Sequence, residues 1–223
     1  MSSFLEADSI RKEFGTNQVL TDISIRCRPG DIIGLLVRNG SGKSTLLKII
    51  FGSLNTDHKF IRINNVILDQ PFKTKNTIGF LSQDNFLPKN ITVKQVAGIY
   101  SNEIPSNEFL EDEVLTKVTG TKIGNLSGGE SRYLEVKLLL NLDVQFILLD
   151  EPFNGISPLH IELVKKMIME KSLKKGIILT DHDYRNVLDV ANKYYLLFDG
   201  GLKPVRNRQD LIEWGYVPDG KKQ

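Results

Sequence analysis

The sequence predicts an α/β fold with a mostly parallel sheet, an N-terminal antiparallel β part and an inserted helical subdomain. Three observations support this prediction. Short strand patterns fill the first third of the 223-residue chain, and residues 84–124 are polar with short apolar clusters. Strand and helix patterns alternate over the last hundred residues, which favours parallel strands joined by crossover helices. At this length we expect a single domain, with its core at 1–83 and 125–223.

The first elements are strands followed by one helix. Ile23–Cys27 alternates between apolar and polar residues, as a half-buried strand does. The unbroken apolar run Ile32–Val37 indicates a strand that is buried on both faces. Lys43–Phe51 has the apolar spacing of a helix and ends at Gly52. Three more short strands are predicted after it: Phe60–Ile63, Val66–Leu68 and Ile78–Leu81.

The second half begins with the insertion, in which Pro88, Pro105 and short apolar clusters indicate small helices. A helix running through Tyr133 and Leu140 follows it. The remaining elements alternate as βαβ units do: strand Val144–Leu149, a helix from Pro158, strand Gly176–Leu179, a helix from Asp183 and strand Tyr194–Phe198.

Composition excludes several classes of protein. The 29 Lys and Arg residues nearly balance the 27 Asp and Glu residues, so the net charge of +2 offers no electrostatic basis for binding nucleic acid. A single cysteine, Cys27, cannot build a disulfide framework or a cysteine zinc site. No apolar run approaches the roughly 20 residues of a membrane-spanning helix, and the N-terminus lacks a secretion signal. We therefore expect a cytoplasmic protein.

A phosphate-binding loop is predicted at residues 38–45, between a buried strand and a helix. Gly40 and Gly42 allow backbone N–H groups to turn towards an anionic phosphate beside the positive end of the helix. Lys43 can pair with β- and γ-phosphate oxygens, and the Ser44 hydroxyl can ligate Mg²⁺. The sequence thus predicts a P-loop NTPase core whose ATP contacts include Val37, Arg38, Asn39, Gly40, Ser41, Gly42, Lys43, Ser44 and Thr45.

One position of this loop departs from the full motif. The motif has a glycine five residues before Gly42, and this chain has Val37 there. A β-branched residue resists backbone angles that glycine tolerates, so we expect the loop to shift or to hold strain.

A second glycine pair lies in the segment Leu126, Ser127, Gly128, Gly129 and Glu130, just before a predicted helix. Ser127 and Glu130 have the spacing of a capping box, which would make the segment purely structural. Two successive glycines would also expose N–H groups to an anion. From these residues alone, both interpretations stay open.

Together with the phosphate loop, this segment resembles the signature of ATP-binding cassette (ABC) ATPases, in which it follows a helical insertion. The resemblance extends from about Leu5 to Leu202, with the motifs in the family's order. It implies that Phe14 stacks on the adenine of ATP. It also implies that Gln83 joins the nucleotide core to the helical arm and senses Mg²⁺ and the attacking water.

The resemblance assigns the acidic end of the run Phe146–Pro152 to catalysis. It implies that Glu151 polarises the water that attacks the γ-phosphorus and that His182 holds the γ-phosphate. Because successive strand residues point to opposite sides of the pleat, we expect Asp150 to face Mg²⁺ while Glu151 faces the γ-phosphate. The Mg²⁺ ligands predicted from the protein are Ser44, Gln83 and Asp150, all of which offer oxygen.

The resemblance also implies partners. In the family, the signature closes on ATP bound to a second copy, so that two chains sandwich two ATP molecules. Ser157 stands where the family usually has an aspartate in the dimer-contact loop. Because the chain shows no membrane span, the transmembrane subunits of a transporter would be separate chains, docking near Gln83–Pro88. The protein would then lie on the inner face of the cell membrane.

Alternative functions remain at this stage. A soluble ABC ATPase of the iron–sulfur assembly type would need no transmembrane partner. A weakly hydrolysing, nucleotide-dependent regulator is a second alternative, which Val37 and Ser157 favour. The segment Thr180–His182 and the short length also resemble ATPases of lipopolysaccharide export and of branched-chain amino-acid uptake. The transported substrate and its direction stay open.

Overall fold

The structure is a computed structural model that describes residues 3–37, 42–56, 58–100, 109–214 and 216. The strands are β1 (Leu5–Phe14), β2 (Asn17–Cys27), β3 (Ile32–Val37), β4 (His58–Ile63), β5 (Val66–Ile67), β6 (Ile78–Leu81), β7 (Phe146–Asp150), β8 (Gly176–Thr180), β9 (Lys193–Phe198) and β10 (Gly201–Val205). The helices are α1 (Lys43–Phe51), α2 (Val93–Ile99), α3 (Gly128–Asn141), α4 (Pro158–Ser172), α5 (Tyr184–Val190) and α6 (Arg208–Glu213).

Two sheets organise these elements. The N-terminal sheet is antiparallel, in the order β2-β1-β4-β5. The second sheet has the order β10-β9-β3-β8-β7-β6, and all of its neighbours are parallel except the β9–β10 pair at one edge. This arrangement confirms the predicted α/β class. Because β3, β8, β7 and β6 are neighbours, their carboxyl ends meet along one side of the sheet, where α/β proteins commonly bind ligands.

The central strand β3 is buried on both faces, which explains its unbroken apolar sequence. Ile33 and Leu35 pack in a cluster that includes the buried face of α1. Ile32 and Leu36 pack in a second cluster that includes α5. At Gly34, an added Cβ would lie 2.5 Å from Val187 Cγ1, so glycine is required for α5 to approach the strand.

The described part of the insertion is mostly irregular. Helix α2 is the one complete α-helix in the described part of the insertion. It begins with a capping box in which Thr92 and Gln95 form reciprocal hydrogen bonds. Val93 and Val96 are fully buried in the same hydrophobic cluster as residues of α3. The boundaries 84–124 for a helical subdomain stay a prediction. In the described ranges, no helix is long and apolar enough to cross a lipid bilayer.

Candidate active site

Helix α1 begins where β3 ends, at the carboxyl edge of the parallel sheet. Gly42 precedes its first residue with φ at 93°, in the left-handed region that favours glycine. A Cβ on Gly42 would lie 2.6 Å from Val19 Cγ1, so the close approach of β2 also requires glycine. The predicted contacts Arg38, Asn39, Gly40 and Ser41 lie outside the described residues, as does the side chain of Val37.

Three predicted site residues converge on one carboxylate, that of Glu151. Lys43 Nζ lies 2.8 Å from Glu151 Oε1, and His182 Nε2 lies 2.8 Å from the same oxygen. Gln83 Nε2 donates a hydrogen bond to Glu151 Oε2 at 3.1 Å. Because the Glu151 side chain is only 1% exposed, these groups, rather than bulk water, set its environment.

The backbone of Glu151 is unusual. Strand β7 ends at Asp150, and Glu151 leaves it with φ at 56° in the left-handed region. We expected strand alternation to point the Asp150 and Glu151 side chains to opposite sides of the sheet. That reason does not hold, because Glu151 lies beyond the end of the strand. A non-glycine residue in this region stores about 1–3 kcal/mol of strain and persists only where its surroundings hold it. The Glu151 N–H donates to the Thr180 carbonyl at 2.8 Å and helps to fix this conformation.

Asp150 has the properties of a cation ligand. Its side chain is fully buried, and neither carboxylate oxygen has a hydrogen-bond partner of good geometry within the described residues. Burial raises the pKa of the Asp150 carboxyl, and the neighbouring Ser44 hydroxyl only partly offsets this shift. A buried carboxylate with one neighbouring hydroxyl is poorly compensated, whereas a hard cation such as Mg²⁺ prefers oxygen ligands of this kind. Asp150 and Ser44 thus fit the predicted metal.

His182 is positioned by the residue before it. Asp181 accepts hydrogen bonds from the Phe153 N–H at 3.2 Å and from the Asp183 N–H at 3.0 Å. It thereby ties the segment after β8 to the segment after β7. The His182 side chain is 50% exposed, and its Nδ1 lies 3.4 Å from Lys43 Nζ. We call Glu151, Lys43, Gln83 and His182 the Glu151 cluster, and His182 is its solvent-facing member.

The signature segment, Leu126–Glu130, forms the start of α3. Ser127 Oγ accepts from the Glu130 N–H at 3.2 Å, and the Ser127 N–H donates to Glu130 Oε2 at 2.8 Å, so the predicted capping box is confirmed. These bonds hold the pKa of Glu130 below its usual range. A Cβ on Gly129 would lie 2.4 Å from the Gly155 carbonyl oxygen, so glycine is needed for contact with the loop that follows Glu151.

Phe14 lies at the end of β1, where β1 turns into β2, and is 50% exposed. Lys12 Nζ is 5.0 Å from the centroid of its ring. An exposed aromatic ring at a strand end can stack on a planar ligand. The structure shows no direct contact between Phe14 and the Glu151 cluster within the described residues.

Three charged residues near the Glu151 cluster were not predicted as site residues from the sequence: Asp181, Arg132 and Glu135. Arg132 is only 4% exposed and Glu135 is fully buried. Both lie on α3, close behind the signature segment. Charged residues that occupy the inward face of a helix are a signal that could have identified them, because unpaired charges are rarely buried.

Comparisons with known proteins agree with this geometry. A family model described as ABC transporter matches residues 20–154. The lipopolysaccharide export system ATP-binding protein LptB of Acidithiobacillus ferridurans is 27% identical over 226 residues, covering 96% of this chain and 94% of that protein. The LptB of Haemophilus influenzae is 30% identical over 212 residues, covering 89% and 88%.

Solved structures show the same fold. An ATP binding subunit of an ABC transporter superposes with a TM-score of 0.81 at 21% identity, covering 97% of this chain and 95% of that chain. A nucleotide-free ATP-binding cassette superposes with a TM-score of 0.79. The family model alone covers more than half of the sequence. The chain therefore belongs to the ABC transporter family, as an ATP-binding subunit that hydrolyses ATP to power a transporter.

Proposed function

We propose that Glu151 is the catalytic carboxylate of this ATPase. The convergence of Lys43, His182 and Gln83 on its side chain carries the proposal. When ATP binds, Lys43 and His182 would turn from Glu151 to the γ-phosphate, which carries more negative charge than a carboxylate. Glu151 would then be released to accept a proton from the attacking water, which Gln83 would help to orient. Hydrolysis of this kind depends mostly on positioning and on charge stabilisation.

We infer that hydrolysis depends on Mg²⁺ held by Asp150, Ser44 and Gln83. The buried Asp150 carboxylate supports this inference, because its oxygens make no hydrogen bond of good geometry within the described residues. No three His, Cys, Asp or Glu side chains converge as a metal site within the described ranges. The protein by itself therefore offers few ligands, and nucleotide phosphates and water would complete the shell. Bound Mg²⁺ would neutralise charge on the phosphates during transfer.

We propose that two copies of this chain sandwich two ATP molecules. The signature segment would contact the γ-phosphate held by the phosphate loop of the second copy. The contact between Gly129 and the Gly155 carbonyl supports this arrangement, because it ties the signature to the loop that directly follows Glu151. A signature that moves with this loop would couple the two ATP sites.

We also propose that separate transmembrane subunits dock beside Gln83 and hold the protein on the cytoplasmic face of the membrane. Phe86, three residues after Gln83, is 43% exposed and offers an apolar contact on this loop. An apolar side chain on the loop that carries Gln83 would let the partner act on the Glu151 cluster. The likeness to two export-system subunits favours this partner over an iron–sulfur assembly role.

The test is Glu151→Gln, with Glu170→Gln as its control on the exposed face of α4. An amide cannot accept the proton from water, so turnover should fall by about 100-fold or more while ATP still binds. The variant should also accumulate an ATP-bound dimer, visible by gel filtration with ATP and Mg²⁺. Turnover at the parent rate would show that Glu151 is not the catalytic carboxylate.

A further inference from the structure

The guanidinium of Arg132 is buried on α3 behind the Glu151 cluster. Its Nε and Nη2 donate to the Glu151 carbonyl at 3.1 and 2.8 Å, and Nη2 also donates to the Asp150 carbonyl. Its Nη1 donates to the Ser82 carbonyl at 2.7 Å. One side chain thus bonds to the backbone on both sides of the candidate site.

These carbonyls belong to the residues that carry the proposed chemistry. Glu151 and the residue after Ser82, which is Gln83, have side chains in contact at 3.1 Å. Arg132 therefore holds the two backbones while their side chains meet on the other side. Because the guanidinium is planar and its donors have fixed directions, it can set the relative position of the two segments to a degree that a flexible ammonium cannot.

Two neighbours of Arg132 on α3 hold the far side of the Gln83 loop. Glu135 Oε1 accepts hydrogen bonds from the N–H groups of Phe86 at 2.8 Å and Leu87 at 3.2 Å. Asn85 Nδ2 donates to Ser131 Oγ at 3.3 Å. Helix α3 thereby grips the loop before and after Gln83.

We infer that Arg132 is a positioning residue that aims the Glu151 carboxylate and the Gln83 amide at the γ-phosphate. It lies two residues after the signature segment, on the same helix. If the signature segment moves, Arg132 would therefore transmit that movement directly to Glu151 of the same chain. This inference rests on the proposed function of Glu151.

If Arg132 only stabilised the fold, its variants would give a different experimental result. Arg132→Met should also lower protein stability, because it leaves the buried Glu135 carboxylate without its cationic neighbour at 3.8 Å. Misplacing a catalytic group by about 1 Å can lower turnover by about 100-fold without loss of binding. The ratio between turnover and ATP affinity therefore distinguishes positioning from general packing.

The test uses Arg132→Lys and Arg132→Met, with Arg185→Met as control. Arg185 is 76% exposed and pairs with Asp183 on the surface. We expect Arg132→Met to lower kcat by about 10- to 100-fold while the KM for ATP changes by less than about threefold. Arg132→Lys keeps the charge but places its donors on one nitrogen atom, so it should recover part of kcat and remain folded if the methionine variant does not. Parental kcat in both variants would overturn the inference.

A double-mutant cycle with Glu151→Gln separates the inference from the proposed function. If Arg132 acts through Glu151, adding Arg132→Met to Glu151→Gln should leave the residual turnover of radiolabelled ATP unchanged within about twofold. A further loss as large as in the parent would overturn the positioning role. If Glu151→Gln alone turned over at the parent rate, the proposed function would fail, and the inference with it. Parental kcat in the Arg132 variants beside an inactive Glu151→Gln would overturn the inference alone.

Discussion

Helices α1 and α3 both begin beside glycine residues, but their first turns are completed in different ways. Gly42 precedes α1 in a left-handed conformation and supplies no side-chain cap. Ser127 precedes α3 and forms a reciprocal capping box with Glu130. Gly42 thus has no side chain with which to satisfy the first N–H groups of α1, whereas the cap of α3 satisfies two donors internally.

The difference predicts different dependence on nucleotide. An uncapped N-terminus, with Lys43 as its first residue, suits a polyanion that the chain binds by itself. A capped N-terminus keeps its shape without ligand, which suits a surface that docks onto nucleotide presented by another copy. We expect changes at α1 to abolish nucleotide binding, and changes at α3 to affect stability and dimer-dependent turnover first.

The largest effect should come from Lys43→Ala. Charge-assisted hydrogen bonds contribute about 1.5–3 kcal/mol each, so loss of the ammonium should weaken ATP binding by about 100-fold or more. Lys48→Ala, in the exposed last turn of the same helix, is the control. Isothermal titration calorimetry with ATP and Mg²⁺ measures both affinities. Unchanged affinity in Lys43→Ala would contradict the assignment of α1 as the phosphate site.

The next effect concerns the two glycines of the signature segment, which form a matched pair. A Cβ on Gly129 would meet the Gly155 carbonyl oxygen at 2.4 Å, whereas a Cβ on Gly128 would meet nothing within 4 Å. Gly129→Ala should lower the free energy of unfolding by about 1–3 kcal/mol, as overpacking does. Gly128→Ala should leave it within about 0.5 kcal/mol. Urea denaturation measures both, and equal losses would contradict the role of the Gly155 contact.

A smaller effect is expected from the cap of α3. Ser127→Ala removes the acceptor for the Glu130 N–H and should lower the free energy of unfolding by about 1 kcal/mol. Glu130→Gln should have less effect, because a glutamine can also complete a capping box. If thermal unfolding shows the two variants to be equally destabilised, the carboxylate charge matters more than the hydrogen bonds.

Much of the fold could be predicted because its signals are local. The unbroken apolar run of β3 and the glycine that ends α1 each predicted an element within a residue of where it lies. Helix α6 and strands β1 and β10 were not predicted. Strand β10 contains Pro204, which strand patterns disfavour, and pairs at a sheet edge where proline is tolerated.

The site was predicted less completely than the fold. The phosphate-loop motif identified Lys43, and the resemblance to ABC ATPases identified Glu151 and His182; the structure brings these three side chains together. The roles of Arg132 and Asp181 could not be predicted, because both act by bonding to backbone groups far away in sequence. Local patterns contain no information on such partners, which depend on the packing of α3 and on the order of strands in the sheet.

The smallest effect is expected at Val37, which precedes the predicted phosphate-binding loop at residues 38–45. Val37 pairs with Leu197 at the last position of β3, immediately before residues 38–41. Val37 lies in the regular strand here, but a valine resists backbone angles that glycine adopts freely. If ATP binding draws on such angles, Val37→Gly should raise ATP affinity by about fivefold, the equivalent of about 1 kcal/mol. Part of this gain is offset because glycine weakens the end of the strand.

The control for this change is Val66→Gly on β5, where valine is 58% exposed. It repeats the loss of a β-branched side chain in a strand of the other sheet, so it reports the general cost of glycine. Affinity and turnover should rise in Val37→Gly alone. If neither exceeds the parent value, the loop accommodates valine without strain, and the uncapped start of α1 binds ATP at full strength. The departure from the motif would then be compensated within the loop, and the difference between α1 and α3 would rest on their caps.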